Sequence, residues 1–153
     1  MLKENQRAPD FTLLNQNNEK VKLSDFKGKK VLIFFYPKDF TPGCTLENVN
    51  LRDSYQELKK ANIEVLGIST DNCHAHRKFS EKLKLPYNLL SDFDKKVVKK
   101  YGVYGEKSFM GKKFMGTKRV SFLIDEKGKI IKIFDKVDVK NHAKQVLDFL
   151  KSL

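Results

Sequence analysis

The sequence predicts an α/β fold in which a central mixed sheet is flanked by helices, with an added β-hairpin at the N-terminus. Three observations carry this. Val31 to Tyr36 is a continuous apolar run rich in β-formers, as expected of a strand covered on both faces. Ile63 to Ser69 repeats that pattern after a segment with helical periodicity, which makes one strand–helix–strand unit. Two further alternating runs and an amphipathic helix then close the chain.

The elements follow in order. Phe11–Leu14 and Val21–Leu23 are short β-like pieces flanking the turn-like run Asn15 to Asn18, and they read as an opening hairpin. Pro37 ends the first long strand. After Gly43 one long helix is expected, because Cys44, Asn48, Leu51, Tyr55 and Leu58 recur on a single stripe. Thr70 or Asp71 can cap the next helix, whose Ala75, Phe79 and Leu83 point inward before Pro86. A shorter helix is expected from Asp94 to Tyr101, stopped by Gly102. Arg119 to Asp125 alternates, turns through Glu126, Lys127 and Gly128, and returns as Ile130 to Phe134. The last helix buries Ala143, Val146, Leu147 and Leu150. Together this order describes a thioredoxin-like α/β sandwich of a single domain, residues 1–153.

Composition narrows the function. A chain of 153 residues with 40% hydrophobic and 33% charged residues can bury a core and needs no disulfide framework. The longest apolar run is too short to cross a bilayer, and the polar start argues against a secretory signal. Two cysteines in that setting point to a reducing compartment, and the cytoplasm is the expected location. The net charge of +12 is nearly all lysine, spread along the chain. Only Arg7, Arg52, Arg77 and Arg119 are arginines, and no nucleic-acid motif accompanies them, so a solvated lysine surface is expected rather than specific nucleic-acid binding. No membrane partner is expected either.

The informative segment runs from Tyr36 to Glu47 and places Cys44 between a buried strand and a helix, where open sheets present their ligands. A cysteine in a first helical turn faces unpaired N–H groups and the positive end of the helix dipole, and both favour the nucleophilic thiolate. Thr41 lies three residues earlier, so its hydroxyl can reach the sulfur or a bound substrate. Pro37 and Pro42 stiffen the loop. A lone cysteine in a capped helix is ordinarily just a buried residue. The surrounding Pro, Thr and Gly positions shift the balance toward chemistry.

These residues resemble a family. Pro37, Thr41 and Cys44 match the peroxiredoxin active-site motif, and Thr41 to Thr45 with Leu51, Arg52 and Asp53 is similar to the bacterioferritin-comigratory, or peroxiredoxin Q, branch. The likeness continues through Ser69–Asp71, Leu90–Asp92, Gly111–Gly116, Arg119, Phe122–Asp125 and His142. It implies a thiol peroxidase that reduces hydrogen peroxide and organic hydroperoxides and uses no metal or organic cofactor. Cys44 would be the peroxidatic nucleophile and become a sulfenic acid. Thr41 and the Cys44 N–H would position the peroxide, Pro37 would shield the sulfenate, and Arg119 would stabilise the thiolate and the developing charge. Glu47, on the same helix face, matches the residue that orients the arginine, though a simple first-turn acid is also consistent. Thioredoxin or a similar thiol would recycle the enzyme, which would be a monomer, or a disulfide-linked dimer without an internal resolver.

The second thiol departs from the pattern. Family members carry the resolving cysteine at positions occupied here by Val49 or by Ser80, whereas this chain has Cys73. His76 and Arg77 follow at helical spacing, close enough to activate Cys73 as the resolving thiol; an external thiol is the alternative. Cys73, His74 and His76 do not make a zinc site, because His74 leaves the common face and no fourth ligand is at hand. His142 is expected to pack or cap, and Phe109, Met110, Phe114 and Met115 to lie in a Gly- and Lys-rich loop. A thiol–disulfide oxidoreductase would need two cysteines separated by two residues, whereas Cys44 is followed by Thr45, Leu46 and Glu47. A non-enzymatic basic redox sensor or chaperone using Cys44 as a switch remains a further alternative.

Overall fold

A computed structural model describes residues 1–153. Its centre is a seven-stranded mixed sheet ordered β2-β1-β5-β4-β3-β8-β9. The middle strands are β3 (Lys30–Phe35) and β4 (Ile63–Ser69), parallel with Lys30 opposite Ile63, and β5 (Asn88–Ser91) continues the parallel set beside β4. On the other side of β3 lies antiparallel β8 (Val120–Ile124), followed by β9 (Ile130–Phe134). The opening hairpin, β1 (Thr12–Asn15) and β2 (Lys20–Lys22), joins the sheet through the antiparallel pair β1–β5.

Alternation along β3 divides the interior. Val31, Ile33 and Phe35 face one core, with Tyr101, Val97 and Val98 packed over them. Leu32, Phe34 and Tyr36 face the other, with Cys44, Leu51, Leu58, Phe79 and Val146. Both faces of β3 are dry, which is why its sequence is uniformly apolar. Each such side chain contributes on the order of 1.5–3 kcal/mol by leaving water.

The helices hold three departures from expectation. The long helix is two: α1 (Pro42–Asp53) and α2 (Tyr55–Lys60), separated at Ser54. Asp53 and Ser54 are weak helix formers whose side chains compete for backbone groups, so the axis breaks there. The next helix, α3 (Cys73–Leu83), is capped by Asn72, whose side chain accepts from the Ala75 N–H, and not by Thr70 or Asp71. The fourth, α4 (Lys96–Lys100), is shorter than expected because Lys95 is left-handed and Asp92 caps the start through the Val97 and Val98 N–H groups. The last, α5 (His142–Lys151), packs Ala143 and Val146 inward as expected.

The Gly- and Lys-rich loop is instead a hairpin, β6 (Tyr104–Phe109) and β7 (Lys112–Thr117), paired only with each other. Met110 and Gly111 both have positive φ, as a two-residue hairpin turn of the primed type requires. Methionine is an unusual first residue for that turn and the strands are mostly exposed, so neither turn chemistry nor alternation announced it. No helix is long and apolar enough to cross a membrane.

Candidate active site

The carboxyl ends of β3 and β4 lie side by side and release the two loops that matter: Tyr36–Thr41 into α1, and Thr70–Asn72 into α3. Thr41 is the N-cap of α1, with extended backbone angles and Pro42 in the first turn. Its hydroxyl caps no N–H; it donates to the Lys38 carbonyl at 2.7 Å and makes no bond to the Cys44 sulfur, contrary to one expectation for it. The Gly43 and Cys44 N–H groups belong to the first turn, where helical geometry supplies no acceptor.

Cys44 is fully buried and is a free thiol. Arg119, immediately before β8, donates from Nη2 to Cys44 Sγ at 3.4 Å and from Nη1 to Glu47 Oε1 at 2.6 Å. A guanidinium only donates, so the sulfur is an acceptor here. Gly43 is what lets the guanidinium lie against the helix: a Cβ there would sit 3.0 Å from Nη2. Burial works against the charge on Arg119, but Glu47 and Cys44 outweigh it and hold its pKa above the ordinary value.

Glu47 is fully buried, and its Oε2 has no hydrogen-bond partner. Burial raises its pKa from 4.5 to about 7, and the Arg119 pair offsets only part of that. A single cation thus serves two buried groups, the Cys44 sulfur and the Glu47 carboxyl. Asn48 steadies the same turn by donating from Nδ2 to the Cys44 carbonyl, while Tyr87 donates to Asn48.

Pro37 is half-buried and lines a surface cavity of about 290 Å³ with Lys38, Lys107, Phe114 and Met115. The β6–β7 hairpin therefore forms one wall beside the cysteine loop. Lys107 reaches the Thr117 carbonyl at 2.9 Å. Burial lowers its pKa, as does Arg119.

Sequence reasoning did not anticipate a second polar group behind the loop. Asp39, nearly fully buried, accepts from the Tyr36 hydroxyl at 2.6 Å through Oδ1 and pairs with His76 Nδ1 at 2.6 Å through Oδ2. Burial, reinforced by Asp39, pushes the Tyr36 phenol far above its usual pKa, so it remains a donor. The Asp39 N–H bonds Asp71 Oδ2, which also accepts from Ser69. Asp39, Asp71 and His76 could in principle converge on a metal ion, yet the facing oxygen and nitrogen already bond each other. The signal for this group was the sequence proximity of Asp39 to Thr41 and of His76 to Cys73.

Cys73 opens α3 and is a free, half-buried thiol. It lines a cavity with Phe11 and Val97, which belong to or border the core on the other side of β3 from Cys44. His76 turns inward to Asp39, and Arg77 donates to the Gln16 carbonyl, so neither flanks Cys73 as expected. His142 bonds Ser121 and Gln145 and meets Phe134 edge-on, so it packs at the start of α5.

Comparison with known proteins places these observations in context. The AhpC/TSA family matches residues 5–133. Peroxiredoxin Bcp of Escherichia coli strain K12 is 51% identical over 98% of this chain and 96% of its own length. Peroxiredoxin Bcp of Bacillus subtilis strain 168 is 43% identical over 97% and 94%. A mutant of peroxiredoxin Q from Xanthomonas campestris superimposes with a TM-score of 0.86 at 34% identity, covering 93% of this chain and 90% of that one. Peroxidoxin BcpB of Mycobacterium tuberculosis gives 0.88 at 32% identity, covering 100% and 99%.

Proposed function

The chain belongs to the AhpC/TSA family as a thiol peroxidase of the Bcp/peroxiredoxin Q type, and from that premise we propose that Cys44 is the peroxidatic cysteine. The observation that carries the assignment is the single guanidinium of Arg119 bridging Cys44 Sγ and Glu47 Oε1. The Cys44 thiolate attacks the outer oxygen of a hydroperoxide. The S–O bond forms, the O–O bond breaks with its electron pair on the leaving oxygen, and that oxygen takes up a proton to leave as water or alcohol. Arg119 and the Gly43 and Cys44 N–H groups are donors aimed where the leaving charge develops. Thr41 positions the peroxide, its hydroxyl oriented by Lys38, and Glu47 holds Arg119 in place. Pro37 and the β6–β7 wall restrict access to the sulfenic acid.

In this reading the chain works as one domain in the cytoplasm, and thioredoxin or a similar thiol returns Cys44 to the reduced state. Cys73 is the internal candidate for resolution. A second reading, resolution by an external thiol, is favoured by the location of Cys73 in a cavity bordered by the opposite core. One experiment separates them: the intact mass of the reduced protein after one equivalent of hydrogen peroxide, beside Cys44→Ser and Cys73→Ser. A monomer lighter by two hydrogens, absent from both variants, identifies Cys73 as the resolving thiol. A monomer heavier by one oxygen at Cys44 identifies external resolution, and an unmodified Cys44 refutes the peroxidatic assignment.

A further inference from the structure

Cys44 has no exposed surface, so a thiol that resolves it must wait for the start of α1 to move, whichever thiol that is. What holds that start in place lies in the loop before it. Asp39 and Phe40, directly ahead of the Thr41 cap, are both tied to α3: Asp39 to His76, and the Phe40 ring to Phe79 at 5.0 Å between centroids. Between the two ties the backbone is strained. Phe40 has φ of +65°, a left-handed conformation that a bulky aromatic residue adopts only when its surroundings impose it.

Hydrogen-bond accounting shows why the Asp39–His76 tie is strong. His76 Nε2 faces the Leu90 carbonyl at 3.0 Å, and a carbonyl only accepts, so Nε2 carries hydrogen. The contact of 2.6 Å on the other ring nitrogen must then hold a second hydrogen between Nδ1 and the Asp39 carboxyl. The bond is charge-assisted, and both partners are essentially out of water.

We propose that Asp39 and His76 are positioning residues for the resolution step: their bond is a clasp that fixes the strained loop to α3, and its release admits the resolving thiol to the oxidised Cys44. The chemistry behind the clasp is balanced without further reagents. The entering thiolate forms an S–S bond with the Cys44 sulfur, the S–O bond breaks, and the departing hydroxide leaves as water with the proton of the entering thiol. While the clasp is shut, the sulfenic acid remains open only to small peroxides, and a second one oxidises it to sulfinic acid with release of water or alcohol. The clasp therefore sets how the sulfenic acid partitions between recycling and inactivation. This rests on the assignment of Cys44 above, but not on which thiol resolves it.

Asp39→Asn tests the clasp with little structural damage. The amide can still accept from Tyr36 and donate to Nδ1 of a neutral imidazole, so every partner is kept and only the charge assistance is lost. The measurement is made in the Cys73→Ser background with a fixed, sub-saturating concentration of dithiothreitol as the thiol. Quenched intact-mass spectra follow formation and decay of the Cys44 sulfenic acid. The expected result is roughly tenfold faster decay, the gap between charge-assisted and neutral hydrogen bonds, with no rise in the rate of formation. The peroxide concentration that converts half of Cys44 to sulfinic acid rises by a similar factor. His76→Gln gives a second variant with the same expected direction. Unchanged or slower decay in folded variants, or a parallel fall in formation and decay, overturns the clasp. Absence of any sulfenic acid at Cys44 in the Cys73→Ser parent refutes the underlying assignment instead.

Discussion

Replacing Glu47 with Gln removes a buried carboxyl whose pKa burial has raised from 4.5 to about 7. A shift of that size corresponds to about 3 kcal/mol of differential stability between the protonated and ionised forms. The folded state binds a proton that the unfolded chain has already lost between the two pKa values. This contribution is therefore complete below about pH 4.5, declines as pH rises, and is gone above about pH 7. Glutamine has the same shape and can still accept from Arg119 through its amide oxygen, but it does not titrate. Urea unfolding of the reduced proteins, followed by far-ultraviolet circular dichroism because the chain has no tryptophan, is the assay. Between pH 4.5 and pH 8 the wild type should lose about 3 kcal/mol relative to Glu47→Gln. The ratio of their peroxidase rates should change mainly around pH 7, where the charge shared with Arg119 changes. Parallel stability curves across this range would refute the claim that Glu47 is buried with its charge only partly compensated.

Three other perturbations follow from the geometry. Arg119→Lys keeps the charge but cannot donate to Cys44 and Glu47 at once, so peroxide consumption should fall on the order of 10²-fold in a competition assay against horseradish peroxidase. Gly43→Ala places a methyl 3.0 Å from Arg119 Nη2, and the displaced guanidinium should slow the same reaction about ten- to a hundredfold while the circular dichroism spectrum is unchanged. Tyr36→Phe deletes a buried bond of 2.6 Å to Asp39 and should cost about 1.5–3 kcal/mol in urea unfolding. A loss below about 0.5 kcal/mol, the range of an ordinary surface change, would mean Asp39 has found another donor.

Much of this architecture is readable from residue order alone, for a physical reason. A strand dry on both faces must be apolar throughout, so Val31–Tyr36 and Ile63–Ser69 identify themselves, and the helical stripe between them supplies the crossover. Pro37, Thr41, Gly43 and Cys44 lie within eight residues, and a short segment between a strand and a helix has few conformations open to it. What escaped the sequence depends on contacts that local pattern does not encode. The β6–β7 hairpin is mostly exposed and obeys no burial period, and the break at Ser54 and the short α4 reflect local side-chain competition and capping. Arg119 meets Cys44 across a separation of 75 residues, a pairing that the family resemblance supplied and local pattern could not, whereas His76 meets Asp39 across 37 with neither to announce it. Nothing in the local spacing of His76 distinguishes an imidazole beside Cys73 from one turned into the interior. The tertiary structure decided it, because a buried carboxyl at Asp39 needs a donor and the inward face of α3 is where one can reach it.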